Sequence, residues 1–248
     1  MMTYSHMHTA DLTTPALSAA EQSLDNVIAQ GQVWQGKHWH AAQPATVPTG
    51  HSALDNLFAG QGWPQGALTE ILYQQAGIGE MRLLIPALAE LSQQSRWIMM
   101  IAPPFLPNAA ALEAAGVDTS KLLIIRPESV RDLLWTLEES LRTGSCSAVM
   151  AWPNTLSTTE TRRLQLAAET GKTLGFLFRP ATTAKDTSPA AVRLELQPST
   201  QGTEVKVLKR RAGWPSEPLQ LDLGFADLTQ PAIKPAPAKA AVLHGPWH

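Results

Sequence analysis

From Thr49 onward, short apolar runs alternate with stretches of helical periodicity, and that alternation leaves few architectures open. The spacing predicts strands over Leu68–Tyr73, Trp97–Ala102, Leu122–Arg126, Ala148–Trp152 and Thr173–Phe178. Helices are predicted over Glu80–Gln93, Ala109–Ala115 and Val130–Leu141. The last of these puts Val130, Leu133, Leu134, Leu137 and Leu141 on one face and stops at Gly144. Ser157-x-x-Glu160 is a capping box opening a further helix that Gly171 closes. Strands that are apolar throughout suit a parallel sheet buried on both faces. After Pro189 the pattern changes to alternation in "VRLEL", "EVKVLK" and "LQLDL", expected as antiparallel strands added at one edge. The fold class is therefore α/β, a mostly parallel sheet with helices on both faces and antiparallel edge strands near the C-terminus.

The remaining sequence divides around this core, which is expected over residues 49–224. Residues 1–12 read as disordered, and 13–48 as an amino-terminal helix followed by an extended segment. Residues 225–248 read as a flexible Pro/Ala-rich tail. At 248 residues, with 44% hydrophobic and 16% charged residues, the composition is that of a globular protein. No apolar run is long enough to span a membrane, and the first residues lack the basic start and apolar core of a signal peptide. One cysteine, Cys146, excludes an internal disulfide framework, so a cytoplasmic location is expected. A formal net charge of −2 gives no global pull toward nucleic acid. His6, His8, His38 and His40 have no Cys or carboxylate partners at zinc-like spacing and read as solvated, so no metal is expected.

The strand at Leu68–Tyr73 runs into "QQAGIGEM", which opens like a phosphate-binding loop. Such a loop reads G-x-x-x-x-G-K-[ST]: its amides cradle phosphates, the Lys reaches the β/γ oxygens and the hydroxyl holds Mg²⁺. Here Gln74 stands at the first Gly, Glu80 at the Lys and Met81 at the Ser/Thr, while Gly77 and Gly79 remain. Those glycines form either an amide nest for an anion or a tight strand-to-helix turn.

The order of these pieces resembles the core of RecA recombinases from about Leu24 to Leu223. "VPTGHSALDNLFAGQGWPQGALTEIL", "LEAAGVDTSKLLIIRPES", "RRLQLAAETGKTLGFLF" and "AVRLEL…TEVKVLKRRAGWP" carry the resemblance in sequence order. It implies that Trp152 falls near the Mg²⁺-associated acid and Pro103 where the water-activating acid should follow its strand. With Glu80 and Met81, three polar requirements of phosphoryl transfer are then missing. No cofactor and no enzymatic activity are expected, and Trp152 is expected in a filled, apolar former nucleotide pocket.

Two RecA-like families share this character. "QSRWIMMIAPP", "SLRTGSCSAVMAWP" and "TLGFLFRPAT" resemble both SulA, a division inhibitor that binds FtsZ, and ImuA, an accessory protein of translesion synthesis. "VWQG", "PTGHSALDNLF…GWPQGALTEIL" and the complete carboxy-terminal meander are similar to ImuA specifically. The first expectation is thus a non-enzymatic SOS-response adaptor binding RecA, ImuB and an error-prone polymerase, and the alternative is SulA-like inhibition of FtsZ polymerisation. Candidate partner contacts are Leu24 and Ile28 on the amino-terminal helix, Trp34, Arg179, the basic run Lys206, Lys209, Arg210 and Arg211, and Trp247 in the tail. The basic run is either a solvated strand end or a contact to DNA phosphates or an acidic partner, and weak or indirect DNA contact is the most it implies. Arg179 reads as a surface contact or a strand terminator.

Overall fold

The computed structural model describes residues 45–200, 202–211 and 213–223. Leu24, Ile28, Trp34 and Trp247, with the four amino-terminal histidines, lie outside the described residues. In chain order the elements are β1 (Thr46–Val47), α1 (Ser52–Asp55), β2 (Trp63–Pro64), β3 (Ala67–Tyr73), α2 (Ile85–Ser92), β4 (Trp97–Ile101), α3 (Ala109–Ala114) and β5 (Leu122–Ile125). They continue with α4 (Val130–Arg142), β6 (Cys146–Ala151), α5 (Thr158–Gly171), β7 (Leu174–Pro180), β8 (Val192–Ser199), β9 (Gly202–Lys209) and β10 (Leu219–Leu221).

Eight of these strands make one sheet in the order β10-β9-β8-β3-β7-β6-β4-β5, and β1 and β2 form a separate short pair. Residues of β3 alternate between its two faces. Ile71 joins Phe176, Phe178, Leu194 and Val207 in a layer covered by α2 and by Trp63, whose ring meets Phe176 edge-on at 5.4 Å. Leu68 joins Val149 and Leu177 in the opposite layer, covered by Leu137 and Leu141 of α4 and Leu164 of α5. Burying each such side chain is worth about 1.5–3 kcal/mol. The capping box of α5 is formed, with Ser157 and Glu160 each accepting from the other's backbone N–H.

Two elements depart from the sequence reading. The segment "VRLEL" was expected to run antiparallel, yet β8 pairs in parallel with β3, Glu70 opposite Arg193; the antiparallel ladders are β8 with β9 and β9 with β10. The connection from β7 is long enough to cross one face through a 3₁₀ turn at Ala181–Lys185 and return beside the start of β3, where Ala191 donates to the Leu68 carbonyl. The helix expected from Glu80 begins only at Ile85. Pro86 stands in its first turn, where a missing N–H costs nothing; five residues deeper in a helix it would remove a backbone hydrogen bond and clash. Residues 80–84 form turns instead, Leu83 donating to the Gly79 carbonyl.

Candidate functional site

The connections after β3 and β4 cover one face of the sheet, through α2 and α3, and those after β6 and β7 cover the other. Adjacent strands whose connections diverge leave a crevice beyond their carboxyl ends, the usual ligand position in open α/β sheets. Here that crevice is a cavity of about 530 Å³. Tyr73 to Ala76 form one wall, Ala102 and Pro104 another, and Trp152 to Thr155 with Phe178 and Pro180 the floor and far side. Trp152 stacks on Phe178 with centroids 4.5 Å apart and planes 5° from parallel, and Tyr73 meets Phe178 edge-on at 6.3 Å. The pocket expected to be filled by Trp152 is therefore open, because the indole lies flat on Phe178 instead of standing in the space between loops. A smaller hollow of about 190 Å³ adjoins it, sharing Trp152 and Pro104 and adding Met81, Met100, Pro103 and Leu112. Above it Phe105 and Leu106 are 72% and 67% exposed.

Backbone geometry marks the same rim. Ala102 holds φ at +52° directly before Pro103, in the left-handed region that costs a non-glycine residue of order 1–3 kcal/mol. Across the cavity, Gly77 and Gly79 have φ of +91° and +101°, and a Cβ on Gly79 would lie 3.0 Å from Leu223 Cδ1 and 3.1 Å from Thr203 Oγ1. Glu80, which stands where a phosphate-binding loop has its Lys, turns back and accepts the Gly77 N–H with both carboxylate oxygens, at 2.9 and 3.1 Å. The loop's amide is thus occupied by its own side chain. Burial foremost, then the Glu80 charge, pushes the Tyr73 hydroxyl above its ordinary pKa. Among the described residues, the larger cavity has no Lys, Arg, His, Asp or Glu in its lining, and the smaller has only Glu80. Among the described residues neither wall supplies a cation for phosphate, whereas stacked aromatics and prolines suit an apolar or Pro-rich segment.

Arg179 is not at the surface. It is 5% exposed and donates Nη1 to Glu70 Oε1 at 2.9 Å, while Arg193 donates Nε to Glu70 Oε2 at 2.7 Å. Glu70 is fully buried. Arg179 also reaches the Leu156 carbonyl, and Arg193 the carbonyls of Thr183, Ala184 and Asp186, so the triad pins the connections after β6 and β7. Sequence reasoning missed Glu70 and Arg193; the signal was a carboxylate inside "ALTEILY" facing a strand that also carries an inward arginine. The basic run is dispersed. Lys206 is exposed on β9, Lys209 donates to the Ser188 carbonyl at 2.7 Å, Arg210 to the carbonyls of Trp214 and Leu57, and Arg211 pairs with Glu169 at 3.6 Å. Burial foremost, then Arg193, holds the Lys209 ammonium below its ordinary pKa.

Among the described residues no group of three or more His, Cys, Asp or Glu could hold a metal, and no helix is long and apolar enough to cross a membrane. Comparison with known proteins places this geometry in context. The family model "Cell division inhibitor SulA" matches residues 66–175, from β3 into β7. The SulA of Yersinia enterocolitica (serotype O:8, biotype 1B) is 31% identical over 120 residues, covering 48% of this chain and 71% of the relative. The SulA of Yersinia pestis strain Pestoides F is 30% identical over 131 residues, covering 53% and 78%. The crystal structure of SulA from Pseudomonas aeruginosa shares 29% identity, covers 45% of this chain and 97% of that chain, and superposes with a TM-score of 0.39.

Proposed function

The chain belongs to the SulA family, and from that premise we propose that it is a non-enzymatic protein of the DNA-damage response that inhibits cell division by binding FtsZ. The observation that supports binding over catalysis is the uncharged aromatic groove at the strand ends, beside a loop whose Gly77 amide is taken by Glu80. We read the scaffold as RecA-like with its phosphoryl chemistry lost. Calorimetry with ATP and Mg²⁺ should give no saturable heat; a micromolar Kd, about −8 kcal/mol, would overturn that reading. Purified protein added to FtsZ and GTP should suppress light scattering at near-stoichiometric ratios. Undiminished scattering at a tenfold excess would remove the division-inhibition reading.

A second reading has its own observation. The family match ends at residue 175, yet the sheet continues through β8, β9 and β10, and β8 supplies Arg193 to the buried Glu70. This chain is roughly one and a half times the length of the Yersinia enterocolitica relative. Such an integral extension favours an ImuA-type accessory of translesion synthesis, bound to RecA, ImuB and an error-prone polymerase. Co-purification from damaged cells separates the two: FtsZ supports the first, and RecA or ImuB without FtsZ supports the second.

A further inference from the structure

The groove at the strand ends lies beside the point where the described chain stops. Leu223, the last described residue, is buried against the loop at Gly79. Gly79 is three residues from Ala76 in the groove wall, at most about 11 Å along the backbone. Residues 224–248 continue from there, with the sequence "GFADLTQPAIKPAPAKAAVLHGPWH". We propose that the end of this segment, Val242 to Trp247, seats in the groove of its own chain, with Trp247 against the Trp152–Phe178 stack.

Three arguments favour this occupant. Reach is ample: a flexible coil of the eighteen residues before Val242 spans roughly 20–25 Å on average, and an extended proline-rich one on the order of 55 Å. Chemistry matches: the described lining of the groove carries no charged side chain, and the segment has its last acid at Asp227 and no Asp, Glu, Lys or Arg in its final nine residues. Proline-bearing extended segments also dock on aromatic-lined grooves with little ordering cost. The tether supplies the rest. A short flexible linker gives an effective concentration in the millimolar range, so contacts too weak to hold a free peptide fill the site on the same molecule. A partner drawn to this groove, a consequence that rests on the function proposed above, would have to displace the tail.

The test uses the full chain. A nitroxide is attached at Asn154→Cys on one rim and, in a second sample, at Gln75→Cys on the opposite rim; Cys146 is buried, and burial foremost raises its thiol pKa, so it stays unlabelled. Amide resonances of residues 242–245, 247 and 248 should lose at least half their intensity in both samples. Leu243→Ser with Trp247→Ser should restore them. Full intensity in both samples, or broadening that survives the double serine substitution, would overturn the proposal. So would broadening found only when isotope-labelled chain is mixed with nitroxide-bearing chain, since the tail would then fill a second copy. Occupancy is read without any partner, so failure of the division-inhibition reading leaves the measurement unaffected.

Discussion

Glu70 faces two arginines in a space that water does not reach. Taking three charges out of water is expensive, and mutual attraction offsets the cost only while the set is complete. Each arginine also spends donors on loop carbonyls, so the triad ties two connections to the middle of the sheet. Glu70→Gln should destabilise the chain by about 3–5 kcal/mol, because two buried guanidinium groups lose their counter-charge together. Arg179→Met should cost less, since Glu70 keeps Arg193 and the unpartnered Arg179 Nε disappears. Urea denaturation of the two variants checks the order; equal losses would mean that the second arginine contributes nothing to holding the carboxylate. A different residue sets a pH dependence. His51 precedes α1 with its Nε2 buried and unpartnered, and burial foremost lowers its pKa, against the raising effects of the Leu83 carbonyl and Asp55. Below the ordinary value of 6.5 the unfolded chain takes up a proton that the folded chain resists, so stability should fall as pH drops through that value. Thermal melts between pH 7.5 and 5.5 should show this slope, reduced in His51→Gln.

At the scale of elements, the start of α5 is the plainest case of local sequence dictating structure. Ser157→Ala removes the cap of an exposed helix end and should cost about 1 kcal/mol, read from the midpoint of chemical unfolding. That element was legible because its signal is local. The direction of β8 was not: alternation in "VRLEL" reports one buried and one polar face but not which neighbour the strand joins. The polar face proved to be buried too, at Arg193, because a third layer of loop carbonyls covers it. The late start of α2 was written in Pro86, a residue that periodicity alone passes over. The site was legible in part. The glycine loop, Pro103 and Trp152 do surround the strand ends, but whether the space between them is filled depends on the tilt of one indole ring, which only the contact with Phe178 decides.

Across the whole molecule, the extension after β7 bears on what kind of SulA-family protein this is. If β8–β10 were an appendage, a chain ending at Pro180 would fold as a shorter domain. The packing argues otherwise. Val192, Leu194, Leu196, Val205 and Val207 belong to the same core layer as Ile71 and Phe176, and at about 1.5–3 kcal/mol each their loss alone approaches the 5–15 kcal/mol that holds a typical domain. Ending the chain there would also expose the edge of β3 and strip Glu70 of Arg193. A chain ending at Pro180 should therefore show no cooperative thermal transition, although the family match ends five residues earlier. A sharp transition in that fragment, with native near-ultraviolet circular dichroism, would show that the shorter unit suffices and would weaken the case for the translesion reading, which draws on the extension being part of the fold.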